Sequence, residues 1–359
     1  MKTMHDSRDR TARGFSAIVI AALLALLIDP ALVHAVTVDW ATVGNPGNAS
    51  DPASGNAWGA VSHEYRIAKH EVTIGQYVEF LNAVAATDTY SLYNPSMASN
   101  LNSAGIERSG TDGSFAYAPI NNAGNSANRP VTYVSWFDAA RFANWLQNGQ
   151  PTGAQGPGTT ETGAYTLAGA TSGSVPGKNP GATYYIPTLN EWYKAAYYSP
   201  GLNSGTGGYY AFATQSNSAP GNAVGSGANQ ANYFNGVWSV TQSATYSASL
   251  NYLTDVGAFT SSASFYGTFD QSGGVYEWND LSGETASLRG LRGGAWDTDA
   301  APLQASHPGF AATGPTAEQP SFGFRLASPV PVPEPSAAVM GLAGIACGGW
   351  GMWRRRRAR

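Results

Sequence analysis

Among the side chains that drive covalent chemistry, sulfur is the first to drop out. The sequence has one cysteine, Cys347, inside an apolar C-terminal stretch, so thiol catalysis and disulfides are excluded from everything before it. Serine, histidine and aspartate are plentiful, but no GxSxG elbow presents a serine nucleophile. Gly293-Gly294 is a tight turn and not a phosphate loop, because no Lys-Ser/Thr pair follows it. His63, His70 and His307 are the histidines between residues 36 and 328, and His70 stands beside Glu71 at a strand end, where a packed or surface imidazole is the ordinary case. Asp297 and Asp299 read as turn caps or as partners of Arg292 or Arg325. Tyr184, Tyr185, Trp192, Tyr193, Tyr197 and Tyr198 read first as core, from their helical spacing, and second as a stacking surface for sugars.

The elements that must position these residues are few. Tyr65 to Thr73 suggests a short strand running into a helix on which Tyr77, Phe80, Leu81 and Val84 fall at i, i+3, i+4 and i+7, with Thr73 placed as its cap. A strand at Pro130–Val134 leads to a second helix over Ser135–Leu146. A third spans Leu189–Tyr198, with Thr188 as N-cap and Glu191 completing a capping box. No long helix is expected beyond Pro200, and no internal repeat is apparent. Two long insertions, Asp88–Asn128 and Gly149–Gly181, are rich in turn residues.

Composition agrees with this loop-rich picture. Of 359 residues 43 are Gly and 21 are Pro, and only 12% are charged, about half the usual share, which rules out long charge-patterned helices. Ten Trp and nineteen Tyr supply apolar area for a large core, unlike the composition of disordered chains. Nearly half of the Lys and Arg sit at the chain ends, so the middle is acidic and unsuited to phosphate or nucleic acid.

The ends carry an address. Residues 1–35 read as a secretory signal: a basic start, the apolar run Phe15–Ile28, and small residues at the cleavage positions around Val33-His34-Ala35. Residues 329–335 form a Pro-rich linker holding Val332-Pro333-Glu334-Pro335. Residues 336–353 are uncharged and long enough, at ~1.5 Å per residue, to span a bilayer core as a transmembrane segment. The Arg-rich residues 354–359 would stay cytoplasmic and leave the body outside. This order resembles the PEP-CTERM sorting tail of certain Gram-negative bacteria, and the resemblance implies an exosortase-type sorting enzyme as partner. A plain C-terminal anchor is the other reading of the same residues.

Between the ends, six fragments stand in one order: Glu71-Val72-Thr73; Arg129-Pro130-Val131 before Ser135-Trp136; Ile186-Pro187-Thr188-Leu189-Asn190-Glu191-Trp192; Gly273-Gly274-Val275-Tyr276-Glu277-Trp278; Arg292-Gly293-Gly294-Ala295-Trp296; and Gly323-Phe324-Arg325. Together they resemble the formylglycine-generating enzyme, or sulfatase-modifying factor, family over about residues 36–328. The resemblance implies an irregular, loop-rich α+β fold akin to duplicated C-type-lectin-like modules. It implies a calcium ion held by the Asp270 side chain, the Gly273 and Val275 carbonyls and the Glu277 carboxylate, an all-oxygen set suited to Ca²⁺. Asp270 stands where the family often has Asn. For a second family calcium site Asn232 and the Tyr233 carbonyl match, but the later Asp position falls near Ala248, so that ligand set is incomplete.

The resemblance also locates an absence. Active members hold copper through two cysteines whose positions fall here on Thr298 and Leu303, and neither supplies the soft thiolate that selects Cu(I). An iron centre built on Asp297, Asp299 and His307 would lack the histidines that relatives draw from an extra domain. The expectation is therefore an exported, envelope-anchored, non-catalytic domain, stabilised by calcium and not copper. It would bind polysaccharide or an envelope protein through its insertions and have no nucleic-acid partner. A metal-dependent oxidoreductase of the same superfamily, of formylglycine-generating or non-haem iron type, is the alternative.

Overall fold

The computed structural model describes residues 35–122 and 124–331; the expected signal up to His34 and the expected tail from Val332 onward lie outside them. Strand β1 (Trp40–Val43) pairs antiparallel with β2 (Tyr65–Ala68) in the register Trp40↔Ala68. The other edge of β2 is taken by β11 (Ala327–Pro329), again antiparallel, with Ala327 opposite Ile67. The end of the domain thus closes against its beginning. Tyr65 and Ile67, fully buried on alternate positions of β2, pack with Val43, Val61 and Ala195, as a strand with one face on a core requires.

Helix α1 (Ile74–Val84) follows β2, and α3 (Trp136–Gln147) packs on it through edge-on and stacked rings: Tyr77, Phe80, Phe142 and Trp145, with Phe324 from near the chain's return. Helix α4 (Leu189–Tyr197) carries Trp192, Tyr193 and Tyr197 into a cluster with Ala213 and Ala305. All three begin with reciprocal capping boxes. Thr73 and Gln76, Ser135 and Asp138, and Thr188 and Glu191 each exchange side-chain and backbone hydrogen bonds, so each start is fixed by its own sequence. The expected helix starts hold at all three sites.

The insertions are less free than their composition suggests. Residues 88–128 contain the one-turn helix α2 (Ser96–Ser99), an antiparallel hairpin of β3 (Ile106–Ser109) with β4 (Ala116–Pro119), and a 3-10 turn at Ser126–Asn128. Residues 149–181 have no regular element but are pinned to α3: Asn144 Nδ2 donates to the Thr160 and Tyr165 carbonyls, and its Oδ1 accepts from the Tyr165 amide. Thr160, Glu161, Ala164 and Tyr165 are buried. This loop belongs to the core.

After α4 come the two-residue strands β5 (Tyr198–Ser199) and β6 (Gly208–Tyr209), paired around the short turn α5 (Leu202–Gly205). A second sheet closes the fold in the order β10-β7-β8-β9, from β7 (Tyr276–Asn279), β8 (Arg289–Arg292), β9 (Phe310–Thr313) and β10 (Phe322–Gly323), with β10 parallel to β7. All four residues of β7 and of β8 are buried, including Glu277, Arg289 and Arg292. Charges in such a place need partners. Among the described residues no helix is long and apolar enough to cross a membrane; the stretch 336–353 lies outside them.

Candidate functional site

The Gly273-Gly274 turn enters β7, and its backbone is closely held. Gly273 donates to the Gly293 carbonyl, Gly274 donates to the Asn232 carbonyl, and the Gly274 carbonyl accepts from Trp296. Gly273 has φ +85° and a Cβ there would stand 2.3 Å from the Asn232 carbonyl oxygen. Only glycine allows both that conformation and that approach. Gly294 is constrained in the same way against Leu303. Two Gly-Gly pairs far apart in sequence therefore set the position of the strand that carries Glu277.

Glu277 is fully buried and faces Arg325. Arg325 Nε donates to Oε2 at 2.5 Å and Nη2 to Oε1 at 2.7 Å, while Trp192 Nε1 adds a bond to Oε2 at 2.8 Å. The remaining guanidinium donors go to backbone: Nη1 to the Ala68 and Lys69 carbonyls, Nη2 to the Phe269 carbonyl. All five N–H groups of Arg325 are thereby engaged.

Two further carboxylates share this one cation. Glu71, 2% exposed, has an oxygen 3.7 Å from Arg325 Nη2, and neither oxygen accepts a hydrogen bond. Its Oε1 is pressed over the Gly-Gly turn, 3.3 Å from where a Gly274 Cβ would stand. Burial, then the Asp270 charge, push the Glu71 carboxyl well above the ordinary range. Asp270, itself in a left-handed conformation at φ 62°, accepts the Gly257 amide on Oδ2 and leaves Oδ1 without a hydrogen bond. Burial raises it to about 6. Glu71 and Glu277 pair with the saturated guanidinium while Asp270 stands near it and is partly exposed, a formal excess of two negative charges that protons or a cation would meet, with water available at Asp270 alone.

Asp270, Gly273, Val275 and Glu277, singled out from the sequence, are thus brought to one turn and strand. The sequence assigns no role to Glu71, and to Arg325 only that of a partner for Asp297 or Asp299. The available signal was a charge inside an otherwise apolar short segment, in fragments already noted for their order. An all-oxygen set is what a hard dication takes. It fits here: Asp270 Oδ1 is unengaged, and three hydrogen bonds on Glu277 leave one of the roughly four lone-pair positions of a carboxylate open, on Oε1. Among the described residues no group of three or more His, Cys, Asp or Glu is arranged to hold a metal by side chains alone, so any ion here depends on backbone carbonyls.

Asn232 and Tyr233 lie behind the same turn but are engaged by protein. Asn232 Nδ2 donates to the Tyr252 carbonyl, and the Tyr233 carbonyl accepts from Asn222 and Ser239. Thr298 exchanges bonds with Ala295, its hydroxyl accepting from the amide and donating to the carbonyl. Leu303 is fully buried with Phe212, Ala231 and Tyr233. The expected pairing of Asp297 and Asp299 with Arg292 or Arg325 does not occur. Arg325 is occupied by Glu277, and Arg292 donates to the Ala305 and His307 carbonyls while lying over Trp58 and Tyr193. Asp299 does cap a turn, accepting the Ala301 amide. Tyr185, Trp192, Tyr193, Tyr197 and Tyr198 are core, and Tyr184 is partly exposed. His70 stacks on Phe269 at 5.3 Å beside Arg325, and His307 Nδ1 accepts the Gly309 amide.

A loop-rich α+β domain whose second sheet carries a buried Glu–Arg pair entered by a Gly-Gly turn is the class defined by this geometry. The chain belongs to the sulfatase-modifying factor enzyme 1-like domain family, whose sequence profile matches residues 45–330. Similar solved structures include CarF, 22% identical over 82% of this chain and 99% of that one, with a TM-score of 0.46. Treponema denticola variable protein 1 is 16% identical over 83% and 97%, with a TM-score of 0.44. PvdO from Pseudomonas aeruginosa is 17% identical over 82% and 93%, with a TM-score of 0.40. No curated protein matches.

Proposed function

We propose that this chain is an exported, envelope-anchored, non-catalytic member of its family, stabilised by calcium and acting as a binding or structural module. The observation that carries the calcium reading is the charge excess at Glu71, Asp270 and Glu277, where one guanidinium with every donor engaged serves three carboxylates. The residues that would hold the ion are Asp270, Glu277 and the carbonyls of Gly273 and Val275. Thr298 and Leu303 support the non-catalytic reading: at the family's two cysteine positions stand a hydroxyl bonded to its own turn and an alkyl group in the core. A second ion at Asn232 and Tyr233 has less support, since the Tyr233 carbonyl already accepts two protein hydrogen bonds.

Metal analysis of the purified protein separates this reading from an oxidoreductase. Calcium alone is expected; stoichiometric iron or copper with oxygen uptake would overturn it. Chelation is expected to lower the melting temperature, and Glu277→Ala to erase that response. For export, the apolar segment and Arg cluster that follow Val332-Pro333-Glu334-Pro335 suit an exosortase-type processing step. Mass spectrometry of surface material should then find a C-terminus near Pro335, and an intact Arg tail there would reject the processing step.

A further inference from the structure

Away from the acidic cluster, a cleft of about 420 Å³ opens between residues 45–52 and 198–209, within the range of small-molecule sites. None of its lining residues carries a formal charge, and its walls are fixed. The Tyr209 hydroxyl accepts from Asn48 Nδ2 and donates to the Ala49 carbonyl, both at 2.7 Å, and its ring meets Tyr198 edge-on at 5.2 Å. Gly207, at φ +85°, runs so close that a Cβ would lie 2.2 Å from the Tyr198 hydroxyl oxygen. The lining residues Asn45 and Asn203 hold left-handed conformations at φ 56° and 52°, which asparagine adopts at little cost.

Several polar groups of this cleft have no protein partner. The Tyr198 and Ser50 hydroxyls make no hydrogen bond to described residues. Asn45 uses its Oδ1 for Tyr266 and Asn203 its Nδ2 for the Gly207 carbonyl, which leaves Asn45 Nδ2 as a donor and Asn203 Oδ1 as an acceptor. Hydroxyls donate and accept, so these four groups match a ligand bearing several hydroxyls. The nearest cation, Lys194, is engaged behind the wall by the Asn45 carbonyl at 2.8 Å and does not line the cleft, so a carboxylate, phosphate or ammonium group would give up hydration here without a direct counter-charge.

We propose that this cleft binds an uncharged sugar unit of a polysaccharide, with Tyr198, Ser50, Asn45 and Asn203 as its hydrogen-bonding groups. The proposal rests on the binding-module reading above and gives it a site and a ligand class. The test is calorimetric titration of the full-length protein in detergent with neutral trisaccharides of glucose, galactose, mannose and N-acetylglucosamine. Galacturonate and glucosamine trimers serve as charged counterparts. At least one neutral trimer is expected to bind and neither charged one. Tyr198→Phe removes only the unengaged hydroxyl, and Asn203→Gly removes the amide while tolerating the left-handed backbone. Each is expected to weaken binding about three- to tenfold, the effect of one lost hydrogen bond, with the calcium-dependent rise in melting temperature unchanged. Binding of no neutral trimer, preference for a charged trimer, or variants that titrate like the parent would each overturn the proposal. If the calcium response persists in those cases, the module reading survives; loss of that response with redox metal bound would remove the module reading itself.

Discussion

Two buried ion clusters of this domain look alike in contact and differ in balance. Arg141 on α3 meets Glu161 at 2.7 and 3.1 Å, and the Thr160 hydroxyl and Gly169 amide complete the carboxylate's hydrogen bonds. The guanidinium lies 4.3 Å over Tyr90. One cation meets one well-served anion, and the cluster pins the 149–181 loop. Around Arg325 the guanidinium is better served than Arg141, but Glu71 has only a 3.7 Å ion pair and no hydrogen bond. The first arrangement is complete within the chain. The second leaves a carboxyl without a hydrogen bond, so the two clusters differ in charge balance and not in burial.

The comparison breaks most visibly if the cations are removed. Arg141→Met strands one buried carboxylate and is expected to cost about 3–5 kcal/mol. Arg325→Met strands Glu71, Asp270 and Glu277 together and is expected to exceed that loss, eliminating a cooperative melt in chelator. Urea titrations of both variants check the order, and equal losses would erase the distinction. A smaller effect concerns the glycines. Gly169→Ala suffers mainly the left-handed backbone, about 1–2 kcal/mol, since Tyr90 is 3.4 Å away. Gly273→Ala adds a clash with the Asn232 carbonyl and should cost more, again by urea titration.

The carboxylates offer a change of sign. Glu161→Met leaves Arg141 buried and unpaired, and about 3 kcal/mol of stability should be lost. Glu71→Met removes a buried carboxyl that accepts no hydrogen bond, while Arg325 keeps Glu277, and should stabilise the metal-free protein by about 1–2 kcal/mol, the penalty of an unsatisfied buried polar group. Melting curves in chelator and in calcium decide it. A loss from Glu71→Met in chelator would mean that this carboxylate is satisfied by the chain.

Helix starts were legible because capping is local: Thr73, Ser135 and Thr188 each find their partners three residues away. The fold class and the Asp270–Glu277 segment were legible through fragment order. The role of Arg325 was not, because its partners come from β2, the Phe269 loop and β7, and no spacing encodes a contact between residues 71, 277 and 325. The pairing expected for Asp297 and Asp299 failed for a related reason. Proximity in sequence to Arg292 suggested a bond, while β8 turns that side chain inward onto Trp58 and Tyr193.

The smallest effect sharpens what the unbalanced cluster does to its neighbour. Burial and, next, the Arg325 charge lower the His70 imidazole to about 4, against 6.5 in the unfolded chain. The native state therefore resists taking up a proton that the unfolded state accepts. Stability contributed by His70 is present above about pH 6.5 and is lost as pH falls toward 4. The ring is partly exposed, so solvent screening reduces the contribution to about 1–2 kcal/mol. Glu71 and Asp270 work in the opposite direction, their raised carboxyl groups favouring the folded state at low pH. Comparing His70→Gln with the parent cancels those common terms. The stability of the variant relative to the parent should rise between pH 6.5 and 4, measured by urea titration in chelator. Parallel curves would show that the imidazole titrates alike folded and unfolded, and that the Arg325 field does not reach it.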